Sequence, residues 1–396
     1  MDIKRNRMVA IIWITSLGLL LSGCGAGSLP GTTPTNTLAV ADTPLHTLTA
    51  TLPPTPQPTA TRPSGSFNTI KIESAALAKN LIGEKTERTI NVYLPPSYDT
   101  SAKHYPVVYF LPGFEDVSMG VWLPGDVDAL IQAGTIQEMI IVVVPGNNQL
   151  GGSFYVNSPA TGNWEDFVVQ EVVGYVDSHF RTIAQVGSRG ISGHSMGGFG
   201  SLNIAMRHPD VFSVVYSLSP GLFDENGLAN SQMFLHEQVI HNFLDAQKTI
   251  LAKPGDQQLT SMLSMQDNFT VAYGLAFAPD PQKQPFYFDY PYSESSGKLV
   301  RNDVIWKQWD SGFGGIPGKV AQYKDNFLKL KGITIDYGTN DEYTWIPQGC
   351  IYFDKILTAA GIPHEMAVHD GNHQRELGKR VLEHMLPFFS ELLVGE

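Results

Sequence analysis

Gly193-His194-Ser195-Met196-Gly197-Gly198 is the strongest chemical signal in the chain. It follows Arg189-Gly190-Ile191-Ser192, which reads as a strand, and leads into a helical run toward His208. In that context a G-x-S-x-G pattern turns the chain so sharply that the serine is held in a strained conformation. The flanking positions must be glycine because side chains there would collide with neighbouring backbone. The turn exposes Ser195 Oγ at the carboxyl end of a sheet and at a helix N-terminus, where free N–H groups can stabilise an anion. The chemistry indicated is nucleophilic attack on a carbonyl. A tight turn that happens to contain serine is the bland alternative.

A serine hydroxyl at its free pKa is a poor nucleophile, so a base and an orienting acid must come from elsewhere. The chain order serine, acid, histidine can bring them from successive loops at one sheet edge. Ile333-Thr334-Ile335-Asp336-Tyr337 reads as a strand, and the loop Gly338-Thr339-Asn340-Asp341-Glu342 leaves its end, so Asp341 is the expected acid. Asp336 is a rival inside the strand, with a structural or solvent-facing role expected, and Glu342 and Asp370 are further rivals. After the strand Glu365-Met366-Ala367-Val368 comes His369-Asp370-Gly371-Asn372-His373. His373, on the loop before a helix starting near Arg375, is the expected base. His369 and His364, which end and precede that strand, are expected at the surface or in packing.

A sheet has to gather these loops. Thr89-Ile90-Asn91-Val92-Tyr93-Leu94 alternates with period two and stops at Pro95-Pro96, as an early antiparallel strand would. Val107-Val108-Tyr109-Phe110-Leu111, Ile140-Ile141-Val142-Val143-Val144 and Val214-Val215-Tyr216-Ser217-Leu218 are nearly unbroken apolar runs, which parallel strands covered on both faces require. Residues 166–180 place Phe167, Val168, Val172, Val173, Val176 and Phe180 at helical spacing, and another helix is expected around 349–360. The expected class is therefore α/β, a mostly parallel, doubly wound sheet with helices on both faces. Residues 222–330 form an insertion longer than a simple crossover needs, dense in aromatics around Phe286-Tyr287-Phe288-Asp289-Tyr290-Pro291-Tyr292. Those rings could form the insertion's own core or a platform for sugar rings and aromatic acyl groups. Acidic pairs such as Asp289 with Glu294, or Glu165 with Asp166, could be read as glycosidase acids, but exposed helix starts and loops carry such residues routinely.

The other end of the chain carries an address. Lys4, Arg5 and Arg7 precede an apolar run over residues 8–21, and Leu21-Ser22-Gly23-Cys24 follows. That order is a secretory signal over residues 1–23, too short for a comfortable membrane span. Leu-Ser-Gly-Cys resembles the bacterial lipoprotein box, which implies lipid attachment to the Cys24 thiol and a place on the bacterial cell surface, facing the exterior or the periplasm. Residues 24–66 then form a linker: eight prolines and eleven threonines lie between Gly25 and Ser66, with only Asp42 and Arg62 charged. Such a segment stays extended and partly stiff. The folded domain is expected over 67–396.

Of 396 residues, 42% are hydrophobic and 16% charged, enough to bury a sizeable core and to exclude disorder throughout. The net charge of −12 leaves no electrostatic footprint for nucleic acid. Cys350 is the only thiol in the folded part, so no internal disulfide is expected there. No metal-ligand spacing, GxGxxG or P-loop is present, and no cofactor is expected.

Four segments together resemble a known family: Pro106-Val107-Val108-Tyr109-Phe110-Leu111-Pro112-Gly113-Phe114, Gly193 to Gly198, the Gly-x-x-Asp ending at Asp341 and the Gly-x-His ending at His373. They are similar to the esterases that include S-formylglutathione hydrolases, feruloyl and acetyl-xylan esterases, enterochelin esterases and mycolyltransferases. Trp164-Glu165-Asp166-Phe167 through Phe180-Arg181-Thr182 also resembles that family's helix before the nucleophile strand. The resemblance spans about Thr86 to Phe389. It implies an α/β-hydrolase fold, a triad of Ser195, Asp341 and His373, and an oxyanion hole made by the backbone N–H groups of Met196 and Phe114. One position departs: Pro112 stands where the family usually has histidine, so what holds that loop must be found in this chain. The expected function is hydrolysis of carboxylic esters of carbohydrates or aromatic acids, the substrate being attached to a polysaccharide in one version. Acyl transfer to a sugar alcohol and a non-catalytic cell-surface binding module are the alternatives.

Overall fold

The computed structural model describes residues 63–119 and 124–396. The expected signal, Cys24 and nearly all of the linker lie outside the described residues. Eight strands form the main sheet: β1 (Ser66–Glu73), β2 (Glu87–Leu94), β3 (Val107–Leu111), β4 (Ile140–Val143), β5 (Arg189–His194), β6 (Val214–Leu218), β7 (Gly332–Gly338) and β8 (Glu365–His369). Their spatial order is β1-β2-β4-β3-β5-β6-β7-β8. β2 is antiparallel to both β1 and β4, and every later pairing is parallel. The expected doubly wound sheet is thus present. Its first strand was not legible in the sequence, because an edge strand with a mostly exposed face lacks a continuous apolar signal.

The apolar runs do what their lack of polar breaks demands. In β3, Val107, Tyr109 and Leu111 join one buried cluster while Val108 and Phe110 join the cluster on the opposite face. β4 divides the same way, Ile140 and Val142 against Ile141 and Val143. One face is covered by Pro124–Gln132 and the C-terminal helix Leu386–Leu392, the other by residues 164–179, Met196–Arg207 and Trp345–Ala360. The expected helix over 166–180 is found at 164–179, with Phe167–Val172 wound as a π-helix. The helix expected from 349 begins at Trp345 instead, since Pro347 lies in its first turn, where a missing N–H costs no hydrogen bond.

The insertion builds a cap of five helices of eight residues or more, Glu237–Leu251, Gly255–Leu263, Asn268–Phe277, Asp303–Asp310 and Ile316–Phe327, with a hairpin of Tyr292–Ser295 and Lys298–Arg301. Its aromatic cluster is core. Phe286, Tyr287, Phe288 and Tyr290 are buried, and Tyr290 stacks on Phe243 at 4.4 Å and meets Trp309 edge-on at 5.7 Å. The platform reading of these rings therefore fails for the cleft described next, none of whose lining residues comes from 286–292.

Candidate active site

Ser195 caps the helix Met196–Arg207 at the end of β5, with φ 58° and ψ −114°. That left-handed backbone is strained for a non-glycine residue and persists only where its surroundings hold it. The surroundings are the glycines of the motif. A Cβ on Gly197 would fall inside the van der Waals surface of the Leu111 carbonyl oxygen, and one on Gly198 would sit 2.6 Å from the Leu218 carbonyl oxygen. The nucleophile turn can therefore press against β3 and β6 only because these positions carry no side chain.

Loops after β7 and β8 bring the other two groups. The Ser195 hydroxyl lies 2.9 Å from His373 Nε2, and His373 Nδ1 lies 2.7 Å from Asp341 Oδ2. Asp341 is 4% exposed and His373 8%. The remaining carboxylate oxygen of Asp341 accepts the Tyr343 backbone N–H at 2.8 Å. The two loops are laced together by backbone: Thr339 N–H donates to the His369 carbonyl at 2.8 Å and Asn340 N–H to that of Gly371 at 3.1 Å. A hydroxyl, an imidazole and a buried carboxylate in hydrogen-bonded series can deprotonate the hydroxyl as it attacks and stabilise the imidazolium that results.

The rivals have other partners. Asp336 is buried and accepts from the Tyr216 hydroxyl at 2.5 Å and Arg380 Nε at 2.8 Å, so it fixes the C-terminal helical segment to the sheet. His369 lies 3.4 Å from that same carboxylate, and His364 pairs with Asp354 at 2.9 Å. Asp370 is exposed. Glu165 is buried against Arg207 and His208, and Glu294 pairs with Lys248 and His241. Cys350 is a buried free thiol, pushed well above its ordinary pKa by that burial. Among the described residues no cluster of His, Cys, Asp and Glu is arranged to hold a metal ion.

Met196 and Phe114 border the cleft beside Ser195. Among the described residues neither backbone N–H is engaged by a protein acceptor. The Phe114 loop is held by a residue that sequence reasoning missed. Tyr155 Oη donates to the Pro112 carbonyl at 3.0 Å and accepts the Gly146 N–H at 2.9 Å, its ring seated against Gly146 and Gly200, where any Cβ would collide with it. No motif marks Tyr155, and its neighbour in sequence, Phe154, shares its left-handed φ of 55°. From the cap, Asn268 Nδ2 donates to Glu115 Oε1 at 2.6 Å and Phe269 meets Phe114 edge-on at 5.0 Å. The resulting cleft of about 440 Å³ has walls of Phe114, Phe269, Phe313, Trp345 and Ile346, with Glu115, Asp116, Gln232, Asn268 and Gln374 supplying polar edges.

The strand order, the strained serine after β5 and the loops after β7 and β8 define an α/β-hydrolase. Solved structures share that fold: a ferulic acid esterase superposes with a TM-score of 0.54 at 22% identity, covering 84% of this chain and 100% of its own. An S-formylglutathione hydrolase from Agrobacterium tumefaciens gives 0.51 at 16% identity, covering 84% and 98%. The Esterase family model matches residues 83–316, more than half of the chain, and the chain belongs to that family. An esterase of Mycobacterium tuberculosis is 34% identical over 134 residues, which are 33% of this chain and 28% of that protein. An endo-1,4-beta-xylanase/feruloyl esterase of Xylanibacter ruminicola is 31% identical over 147 residues, 34% of this chain and 20% of that protein. The chain thus spans less than a third of the length of these curated relatives.

Proposed function

We propose that this protein is a serine carboxylic-ester hydrolase acting on esters of carbohydrates or aromatic acids. The observation that carries the reading is the unbroken series Ser195 Oγ, His373 and Asp341, at 2.9 and 2.7 Å, opening into a cleft from a strained turn. Ser195 attacks the ester carbonyl while His373 Nε2 takes its proton. Asp341 keeps the imidazole proton on Nδ1 and balances the positive charge. The N–H groups of Met196 and Phe114 receive the oxyanion, where preorganised donors contribute more than the same bonds would in water. His373 then protonates the departing alcohol, and water, activated by the same imidazole, releases the acid from Ser195.

The aromatic walls of the cleft suit a flat acyl group, and its polar edges suit sugar hydroxyls. Feruloyl esterases among the related proteins support the same substrate class. The basic, apolar and Leu-Ser-Gly-Cys order at residues 4–24 supports a lipid-tethered enzyme on the bacterial surface, with the linker holding the domain away from the membrane. Fluorophosphonate labelling of parent and Ser195→Ala, followed by a screen of acetyl, longer acyl and feruloyl esters, tests the activity. Labelling that survives in Ser195→Ala would exclude this mechanism. Cys24→Ala should abolish lipid attachment and leave turnover per molecule unchanged; a membrane-bound mature N-terminus well beyond Cys24 would exclude the tether.

A further inference from the structure

We propose that His194 and Glu342 are positioning residues that hold His373 by its own peptide group, one from the serine side and one from the acid side. The proposal rests on the assignment of Ser195, Asp341 and His373 given above. A histidine on a loop must be fixed twice, in the rotation of its ring and in the position of its backbone. Asp341 answers only the first requirement. His194 Nε2–H donates to the His373 carbonyl oxygen at 2.8 Å, and the two rings lie 4.6 Å apart at 45°. On the other side of the same residue, Glu342 Oε2 accepts the His373 N–H at 3.1 Å, while Oε1 accepts from Asn372 Nδ2 at 2.7 Å.

The sequence positions give this arrangement its meaning. His194 directly precedes Ser195 and Glu342 directly follows Asp341. Each outer member of the triad therefore has an adjacent side chain that grips the backbone of the central one, adding two bonds to the backbone lacing of the acid and base loops. The protonation state of His194 fits the role. Burial, aided by the nearby His373 charge, holds its imidazole down to about 3, so it stays a neutral N–H donor and adds no second positive charge when His373 becomes imidazolium. Glu342 is held below the usual carboxylate range by the backbone N–H groups it accepts, its own and that of His373, and so stays an acceptor. The other titratable or charged groups around His373 are Asp341 and Tyr343 from the acid loop and, across a small void behind it, Asp336, His369 and Arg380.

The test measures kcat, KM and the fluorophosphonate labelling rate on the full chain, with p-nitrophenyl acetate as substrate. His194→Phe and Glu342→Ala should each lower kcat and the labelling rate by about tenfold or more, with KM within about twofold, because a small displacement of the base is felt in the transition state and not in ground-state binding. His194→Gln and Glu342→Gln keep a donor and an acceptor at these sites and should recover most of that loss. Where His194→Phe does not fold, the exposed Glu342 pair carries the test. Parental kcat in Glu342→Ala and in every folded His194 variant overturns the clamp, as do conservative variants no better than the disruptive ones. Ser195→Ala separates the two ideas: if it remains active the triad itself fails, whereas an inactive Ser195→Ala beside fully active clamp variants removes the clamp alone.

Discussion

Asp341→Asn replaces one oxygen by NH₂ in a site whose neighbours dictate which way the amide must face. The Tyr343 backbone N–H, 2.8 Å from Oδ1, is a fixed donor and needs an oxygen opposite it. His373 Nδ1, 2.7 Å from Oδ2, can serve as donor or acceptor by changing tautomer. The amide should therefore keep its oxygen toward Tyr343 and turn its NH₂ toward His373, which responds by carrying its proton on Nε2, the nitrogen that must accept from Ser195. Flipping the amide restores the useful tautomer but sets two donors face to face in a buried site, at roughly 2–3 kcal/mol. That leaves on the order of one molecule in a hundred with the useful tautomer. Loss of the carboxylate's stabilisation of imidazolium adds about 2 kcal/mol more. The product is a fall in kcat of roughly 10³- to 10⁴-fold, near the loss expected when a triad acid is made neutral in place. Steady-state hydrolysis of p-nitrophenyl acetate with active-site titration measures it, and an unchanged melting temperature shows that the fold persists. Retention of more than a tenth of parental kcat, with a larger loss in Asp370→Asn or Glu342→Gln, would falsify the choice of acid.

Gly197→Ala should abolish activity and lower the melting temperature, because its Cβ would strike the Leu111 carbonyl, whereas Gly174→Ala, with open space around it, should be neutral or stabilising by up to about 1 kcal/mol; calorimetry on both decides. Tyr155→Phe should reduce kcat more than KM, since the Gly146 N–H and the Pro112 carbonyl lose their common partner and the Phe114 loop loosens; unaltered affinity for a boronic acid inhibitor would count against this. Tyr290→Ala should cost about 3 kcal/mol of stability and affect small and large esters alike, as a buried cap residue must, and a KM change confined to large esters would contradict the core reading. His194 stays neutral in the folded protein down to about 3 but takes a proton near 6.5 when unfolded, so the unfolded chain binds more protons between those values. Stability should therefore fall as pH drops through that window, and less steeply in His194→Gln; parallel melting curves against pH would refute it.

By itself the sequence determined the elements whose local pattern is strong. The apolar runs at Val107–Leu111 and Val214–Leu218 can only be strands buried on both faces, because any open face would leave valine and tyrosine in water. Gly193-His194-Ser195-Met196-Gly197 required a strained turn between strand and helix, since the glycines have no other use there, and Ser195 occupies it. The sequence favoured Asp341 over Asp336 and His373 over His369 by asking only which residue leaves a strand end, and the fold places Asp341 and His373 in hydrogen-bonded series with Ser195. Tertiary structure alone decided what depends on approach between distant segments. Tyr155 supports the Pro112 loop across 43 positions, and Asn268 reaches Glu115 across 153, with no spacing rule to announce either. The aromatic insertion could not be resolved by composition, because a buried ring and a binding platform need the same residues. Tyr290 packs on Phe243 and Trp309 away from the cleft, whereas Phe269 and Phe313 of the same insertion wall it, a division set by packing geometry that one chain's pattern does not encode.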